Sequence, residues 1–153
     1  MKIYSQKYIQ TIPAELNTVW DFFSSPANLS KITPAKMNFR ILHITGGEKM
    51  YDGQLISYKV SPFPFIRTRW TTEIKSVQQH KHFIDEQKFG PFSLWYHQHF
   101  FEQTANGVLM TDDVSYAIPL GILGRMVNSI LVKKQVENIF AFRKKAIEEI
   151  FKH

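Results

Sequence analysis

Apolar and polar positions alternate through the middle of this chain, which is the period of a half-buried β-strand. Ile56, Tyr58 and Val60 share one face of a strand over Gly53 to Val60, and Trp70, Thr72 and Ile74 share one face over Arg67 to Val77. Further strands are expected at Asn38 to Ile44, His82 to Lys88, Phe92 to Glu102 and Val108 to Tyr116. Gly46-Gly47 and the other connections hold the Gly, Pro or Asn that hairpin turns require, so the strands read as an antiparallel meander. Ile3 to Ile12 reads as an edge strand ended by Pro13.

The period changes to 3.6 in two places. Over Glu15 to Phe23 the apolar residues Leu16, Val19, Trp20 and Phe23 recur at helical spacing. Ser25-Pro26 then restarts the chain as a cap followed by a first-turn proline, and a short helix over Ala27 to Ile32 stops at Thr33-Pro34. A long terminal helix closes the chain, and its apolar stripe changes sides. Leu123, Met126, Val127, Ile130 and Leu131 cluster on one side, whereas Val136, Ile139, Phe140, Ala146, Ile147 and Ile150 cluster on nearly the opposite one. Either the helix breaks near Val132 to Gln135, or its first turns bury a different face, over a pocket mouth or a partner.

At 153 residues the chain fits one α+β domain, spanning 1–153, with a core of its own. Aromatic residues make up 14% of it, and large rings line apolar cavities as readily as they fill cores. The absence of cysteine excludes disulfides, thiol catalysis and cysteine-ligated metal. The first residues, MKIYSQKYIQTIP, hold no apolar signal segment, and Arg125, Asn128, Lys133 and Lys134 interrupt the most apolar later run. A cytoplasmic protein without stable membrane insertion is the expectation. A net charge of +6 raises nucleic acid as a partner. The basic residues are scattered, however, and the short runs Lys133-Lys134 and Arg143-Lys144-Lys145 read as a solvated helix face. No nucleic-acid-binding motif is present, so no such partner is expected.

The chemistry concentrates between Gly90 and Gly124. Trp95, His97, His99 and Phe101 fall on one strand face, and Met110, Asp112, Val114 and Tyr116 on one face of the next. His97 and His99 would stand about 6.6 Å apart along a regular strand. With Asp112 they admit a two-His, one-carboxylate metal site, an acid–base pair, polar contacts that orient a ligand, or a purely structural His–Asp hydrogen bond that makes two buried polar groups tolerable. Asp85 and Gln87 are either ligand contacts or partners of the Gly90-Pro91 turn. Tyr58, Trp70, Trp95 and Tyr116 suit pocket walls or plain core. Phe63 and Phe65, in the SPFPF loop, combine with Phe89 and Phe92 and with Leu123, Met126 and Val127 as a cavity entrance; a homodimer contact or a transient membrane touch is the competing use. No nucleophile elbow, P-loop or dinucleotide fingerprint occurs, so no cofactor is expected and no metal is assigned.

Four strings carry a resemblance: VWDFFSSPANLSKITP at 19 to 34, RWTTEI at 69 to 74, DEQKFGPFSLWYHQHFFE at 85 to 102 and TDDVSYAIPLGILG at 111 to 124. Together with the element order they resemble a bacterial ligand-binding branch of the SRPBCC superfamily, which gathers START lipid-transfer domains, birch-pollen-type allergens and polyketide cyclases/dehydratases. The resemblance implies a helix-grip fold, a curved antiparallel sheet wrapped around the C-terminal helix with a cavity between them. On that picture Ile56, Tyr58, Val60, Trp70, Phe83, Asp85, Gln87, Trp95, His97, His99, Phe101, Asp112, Val114 and Tyr116 point inward. It implies binding, and transport, of a small hydrophobic molecule such as a lipid, isoprenoid or aromatic polyketide. The alternatives are a cyclase/dehydratase in which His97, His99 or Asp112 moves protons, and a co-chaperone-like interaction module.

Overall fold

The computed structural model describes residues 1–152, with the side chain of Ser129 left out. Seven antiparallel strands form one curved sheet: β1 (Tyr4–Ile12), β2 (Arg40–Ile44), β3 (Leu55–Phe63), β4 (Ile66–Gln78), β5 (His82–Phe89), β6 (Leu94–Thr104) and β7 (Gly107–Ala117). Their order in space is β1-β7-β6-β5-β4-β3-β2, so every neighbour but β1–β7 is also a neighbour in sequence. Helix α1 (Leu16–Phe23) and two 3₁₀ segments, Pro26–Ile32 and Ala35–Met37, link β1 to β2. Helix α2 (Gly121–Val127), a single π turn (Asn128–Val132) and helix α3 (Lys133–Ile150) complete the chain. None of the helices is long and apolar enough to cross a membrane.

The expected alternation is present strand by strand. Along β7 the residues Val108, Met110, Asp112, Val114 and Tyr116 are all buried, and those between them are half-buried. Two departures concern connections. The segment read as an α-helix from Ala27 is 3₁₀ and begins at Pro26. Ser61 to Phe63, read as part of a loop, continues β3 beyond a register shift, so the turn shrinks to Pro64 and Phe65. Phe65 takes a left-handed φ of 64° there.

The terminal helix does not break. A π turn carries one extra residue, and it absorbs the change of stripe without interrupting the helix. The inward row is Gly124, Asn128, Val132, Val136, Phe140, Arg143 and Ile147. The first of these are small or polar, and Leu123, Met126, Val127, Ile130 and Leu131 of the apolar stripe are exposed.

Two apolar clusters occupy the space between sheet and helices. One packs Trp20 and Phe23 of α1 against Phe83, Phe101 and Met110. The other packs Val132, Val136 and Phe140 against Trp70, Trp95, Val114 and Tyr116. A polar group lies between them.

Candidate functional site

Sheet register assembles this group. His97 and His99 sit on β6, with Asp85 of β5 directly opposite His97 and Asp112 of β7 directly opposite His99. Side chains at i and i+2 share a face, so all four meet on the inner side. Each imidazole reaches both carboxylates. His97 places Nε2 2.8 Å from Asp112 Oδ1 and Nδ1 3.3 Å from Asp85 Oδ2. His99 places Nε2 2.8 Å from Asp85 Oδ2 and Nδ1 3.0 Å from Asp112 Oδ1. The result is a closed ring of two histidines and two aspartates spanning three strands.

Arg143 completes it from α3. Its Nη2 lies 3.4 Å from Asp112 Oδ1 and 3.5 Å from His99 Nδ1. Its guanidinium carbon sits 5.4 Å from the Phe23 ring centre and 5.9 Å from that of Phe140, so the cation bridges the two apolar clusters.

Charge and proton placement follow from this geometry. Burial alone penalises both imidazolium forms. At His97 the charges of Asp85 and Asp112 outweigh that penalty and raise its pKa above the usual histidine value. His99 is lowered, by burial and by the neighbouring His97 charge; its ring also stacks on Phe83 at 4.1 Å. Burial opposes ionisation of both aspartates, yet the histidines hold Asp85 low, and Arg143 together with the histidines holds Asp112 well below the carboxylate range. A charged His97 donates from both nitrogens, and a neutral His99 can donate to only one of its two carboxylates, from Nε2 to Asp85 at 2.8 Å or from Nδ1 to Asp112 at 3.0 Å. Two cations and two anions leave the buried cluster neutral. Asp85, His97 and His99 also present one donor atom each within 4.8 Å of one another, and those are the donors that could hold a metal ion.

The group forms one end of a cavity of about 140 Å³ between the sheet, the Pro26–Ile32 segment and α3. Aromatic and aliphatic walls make up the rest, with Tyr58, Trp70 and Trp95 from the sheet and Phe39 and Ile139 closing the sides. Burial, reinforced by the Asp85 charge, pushes the Tyr58 phenol well above its usual pKa and keeps it a proton donor. Among the described residues, the buried donors without a hydrogen-bond partner include Nε1 of Trp70 and Nε of Arg143. Both residues line the cavity.

No family model matches the sequence, and no curated protein does. Solved structures resemble its fold along nearly the whole length. The KanY protein superposes with a TM-score of 0.75 at 13% identity, covering all of both chains. Major latex-like protein 151 from Panax ginseng gives 0.72 at 14% identity over 99% of each chain. A Thalictrum norcoclaurine synthase point mutant in complex with a transition-state analogue gives 0.68 at 11% identity over 97% of this chain and 96% of that one. This chain has the birch-pollen-allergen-like helix-grip fold.

Within this helix-grip fold the residues singled out from sequence fall into three groups. Tyr58, Trp70, Asp85, Trp95, His97 and His99 line the cavity. Phe101, Asp112 and Tyr116 point inward but do not line it. Phe101 packs with Trp20 and Phe23, Asp112 stands behind the histidines, and the Tyr116 hydroxyl donates to Asn128 Oδ1 at 2.9 Å. Gln87 takes the second of its two readings: its amide donates to the carbonyl of Phe92 at 2.7 Å and accepts from the Phe92 N–H at 3.3 Å, fastening the β5–β6 turn.

The expected entrance is also corrected. Phe63, Phe65, Phe89, Phe92, Leu123, Met126 and Val127 do not line the cavity. Phe63 and Phe92 pack into the second apolar cluster, and the other five are solvent-exposed. Arg143, read as part of a solvated basic run, is buried in the site. Its position one α-helical turn beyond Phe140, on the apolar side of α3, is the signal that separates it from Lys144 and Lys145.

Proposed function

We propose that this protein binds a small hydrophobic molecule that carries a hydrogen-bond acceptor, with its apolar body among the aromatic walls and its acceptor oxygen at the His–Asp–Arg end. The observation that carries this reading is the pair of buried donors without acceptors, Arg143 Nε and Trp70 Nε1, on residues that line a mostly apolar cavity. A buried donor left unsatisfied costs about 1–3 kcal/mol, which a ligand carbonyl or carboxylate would recover. Apolar contact adds about 25 cal/mol per Å² buried.

Size narrows the class. The cavity volume of about 140 Å³ is close to that of an engineered apolar cavity, about 150 Å³, that accepts benzene. It suits a single ring or a short branched chain. A longer lipid, isoprenoid or polyketide would leave part of its length outside. Trp70 and Trp95 line the cavity and serve as reporters. Titration with phenylacetate and with ethylbenzene is the test: quenching by the acid at least tenfold tighter than by the hydrocarbon is expected. Equal affinities would remove the acceptor from the proposal, and no response to either would remove this ligand class.

A second reading is favoured by the unequal protonation of His97 and His99. A charged and a neutral imidazole side by side on a cavity wall supply an acid and a base at one pH, the arrangement that a proton-moving cyclase or dehydratase needs. Turnover of an enolisable aromatic ketone, read as solvent-deuterium uptake and abolished in His99→Gln, would favour catalysis over binding alone.

A further inference from the structure

Four stretches of chain meet at one end of the sheet. Pairing of Tyr4 with Tyr116 and of Leu94 with Ala117 brings together the start of β1, the β5–β6 turn and the connection from β7 into α2. The β3–β4 turn, between the paired Phe63 and Ile66, joins them through a hydrogen bond of 2.6 Å from Gln135 Nε2 to the Pro62 carbonyl. Met1, Lys2 and Tyr4 line one groove with Ile118, Leu120, Ile122 and Arg125.

This end is apolar and exposed. Leu120, Ile122, Leu123, Met126, Val127, Ile130 and Leu131 are between 43% and 74% exposed, and Phe65 and Phe89 project from the turns beside them. It also carries one sign of charge. Residues 1–4, 62–69, 88–94 and 117–134 contain Lys2, Arg67, Arg69, Lys88, Arg125, Lys133 and Lys134, and none of the chain's 13 acidic residues. Lys88 is engaged by Glu73 and Glu86. The other six basic groups make no ion pair among the described residues.

We propose that this end of the molecule docks peripherally on an anionic lipid surface. A face of Leu, Ile, Met and Phe rimmed mainly by Lys and Arg is the composition of interfacial helices, in which apolar side chains enter the headgroup boundary and cations meet anionic lipid. Charge disfavours a second copy of the chain, because a two-fold contact would set the six unpaired cations against themselves, while Glu73 and Glu86 are already engaged by Lys88. The π turn supports the arrangement: it lets α2 turn Gly124 and Asn128 inward and leave the apolar stripe outside. The proposal is independent of the cavity reading, since Phe65, Leu123 and Ile130 do not line the cavity.

The test is co-sedimentation of the full chain with vesicles of phosphatidylcholine alone and of phosphatidylcholine with about 30% phosphatidylglycerol. Binding at least about tenfold stronger to the anionic vesicles is expected, with weakening as salt shortens the Debye length from about 10 Å to 3 Å. Leu123→Glu with Ile130→Glu should reduce binding at least about tenfold. Circular dichroism and the phenylacetate response should stay unchanged, since both side chains are exposed and remote from the cavity. The proposal is overturned if wild type ignores anionic vesicles, if the double variant binds them as well as wild type does, or if neutral vesicles bind equally. Sedimentation-velocity dimerisation lost in the same variant, without vesicle binding, would assign the face to a second copy. Retention on polyglutamate without vesicle binding would assign it to an acidic protein.

Discussion

The imidazole rings of His97 and His99 lie 3.7 Å apart, centre to centre, on one face of β6, and their pKa values move in opposite directions. Asp85 and Asp112 raise His97, whereas burial and the His97 charge lower His99. The pH dependence has opposite signs for the two. Stabilisation from protonated His97 is complete below the unfolded imidazole range, about pH 6.5, and is lost as pH rises through its higher folded value. His99 costs stability as pH falls below about 6.5, where the unfolded chain binds a proton that the folded site refuses. Asp85 and Asp112 contribute stability above about pH 4 that is lost as pH falls toward their low folded values. Imidazole ¹⁵N shifts near pH 6.5 should show a mostly charged His97 and a mostly neutral His99. Two neutral rings would contradict the proton placement derived above.

Arg143→Met tests what the arginine does for the ring. The substitution retains much of the apolar stem against Phe23 and Phe140 but leaves buried Asp112 without its guanidinium. Removing one partner of a buried charge pair costs about 3–5 kcal/mol. Asp112→Asn in the same chain should recover part of the loss, because no uncompensated charge then remains. Urea unfolding of the wild type, the two single variants and the double variant reads the coupling; additive losses would mean that Arg143 acts by packing alone.

The sheet was legible in the sequence because a period of two is local: His97, His99, Asp112 and Trp70 needed only the alternation of their own strands to be placed inward. Asp85 was legible as an inward residue but not as a partner of both histidines, since that depends on the register of β5 against β6. Arg143 was misread because a basic run gives no local sign that one of its members crosses the core to a carboxylate on β7. Gln87 was ambiguous for the complementary reason: its partner is the backbone of Phe92, and backbone partners leave no trace in side-chain pattern. The stripe from Leu123 to Leu131 marked an anomaly correctly. Apolar periodicity identifies a face without saying what meets it, and here the face is largely exposed.

Ile139→Trp tests the cavity. Ile139 lines it from α3 and is only half-buried, so a larger ring can enter the free volume without displacing the packed wall. Stability should change by less than about 1.5 kcal/mol, whereas binding of phenylacetate should fall at least about tenfold. Unchanged affinity in a well-folded variant would place the ligand elsewhere.

Gly124→Ala tests how closely α2 approaches the end of the sheet. In an open helix this change stabilises by up to about 1 kcal/mol, since alanine forms helix better than glycine does. Here a Cβ at position 124 would lie 2.1 Å from the carbonyl oxygen of Pro119, a backbone atom that cannot rotate away. Forced overlap costs about 1–3 kcal/mol and outweighs the gain in propensity. The expected result is a lower Tm, by about 2–4 °C for each kcal/mol in a domain of this size. Gly47→Ala is the control: a Cβ there meets nothing within 4 Å, so its Tm should stay near that of the wild type. A Gly124→Ala variant as stable as the wild type would show that α2 can lift from the Pro119 carbonyl at little cost. The inward row beginning at Gly124 and Asn128 would then no longer account for the exposed stripe.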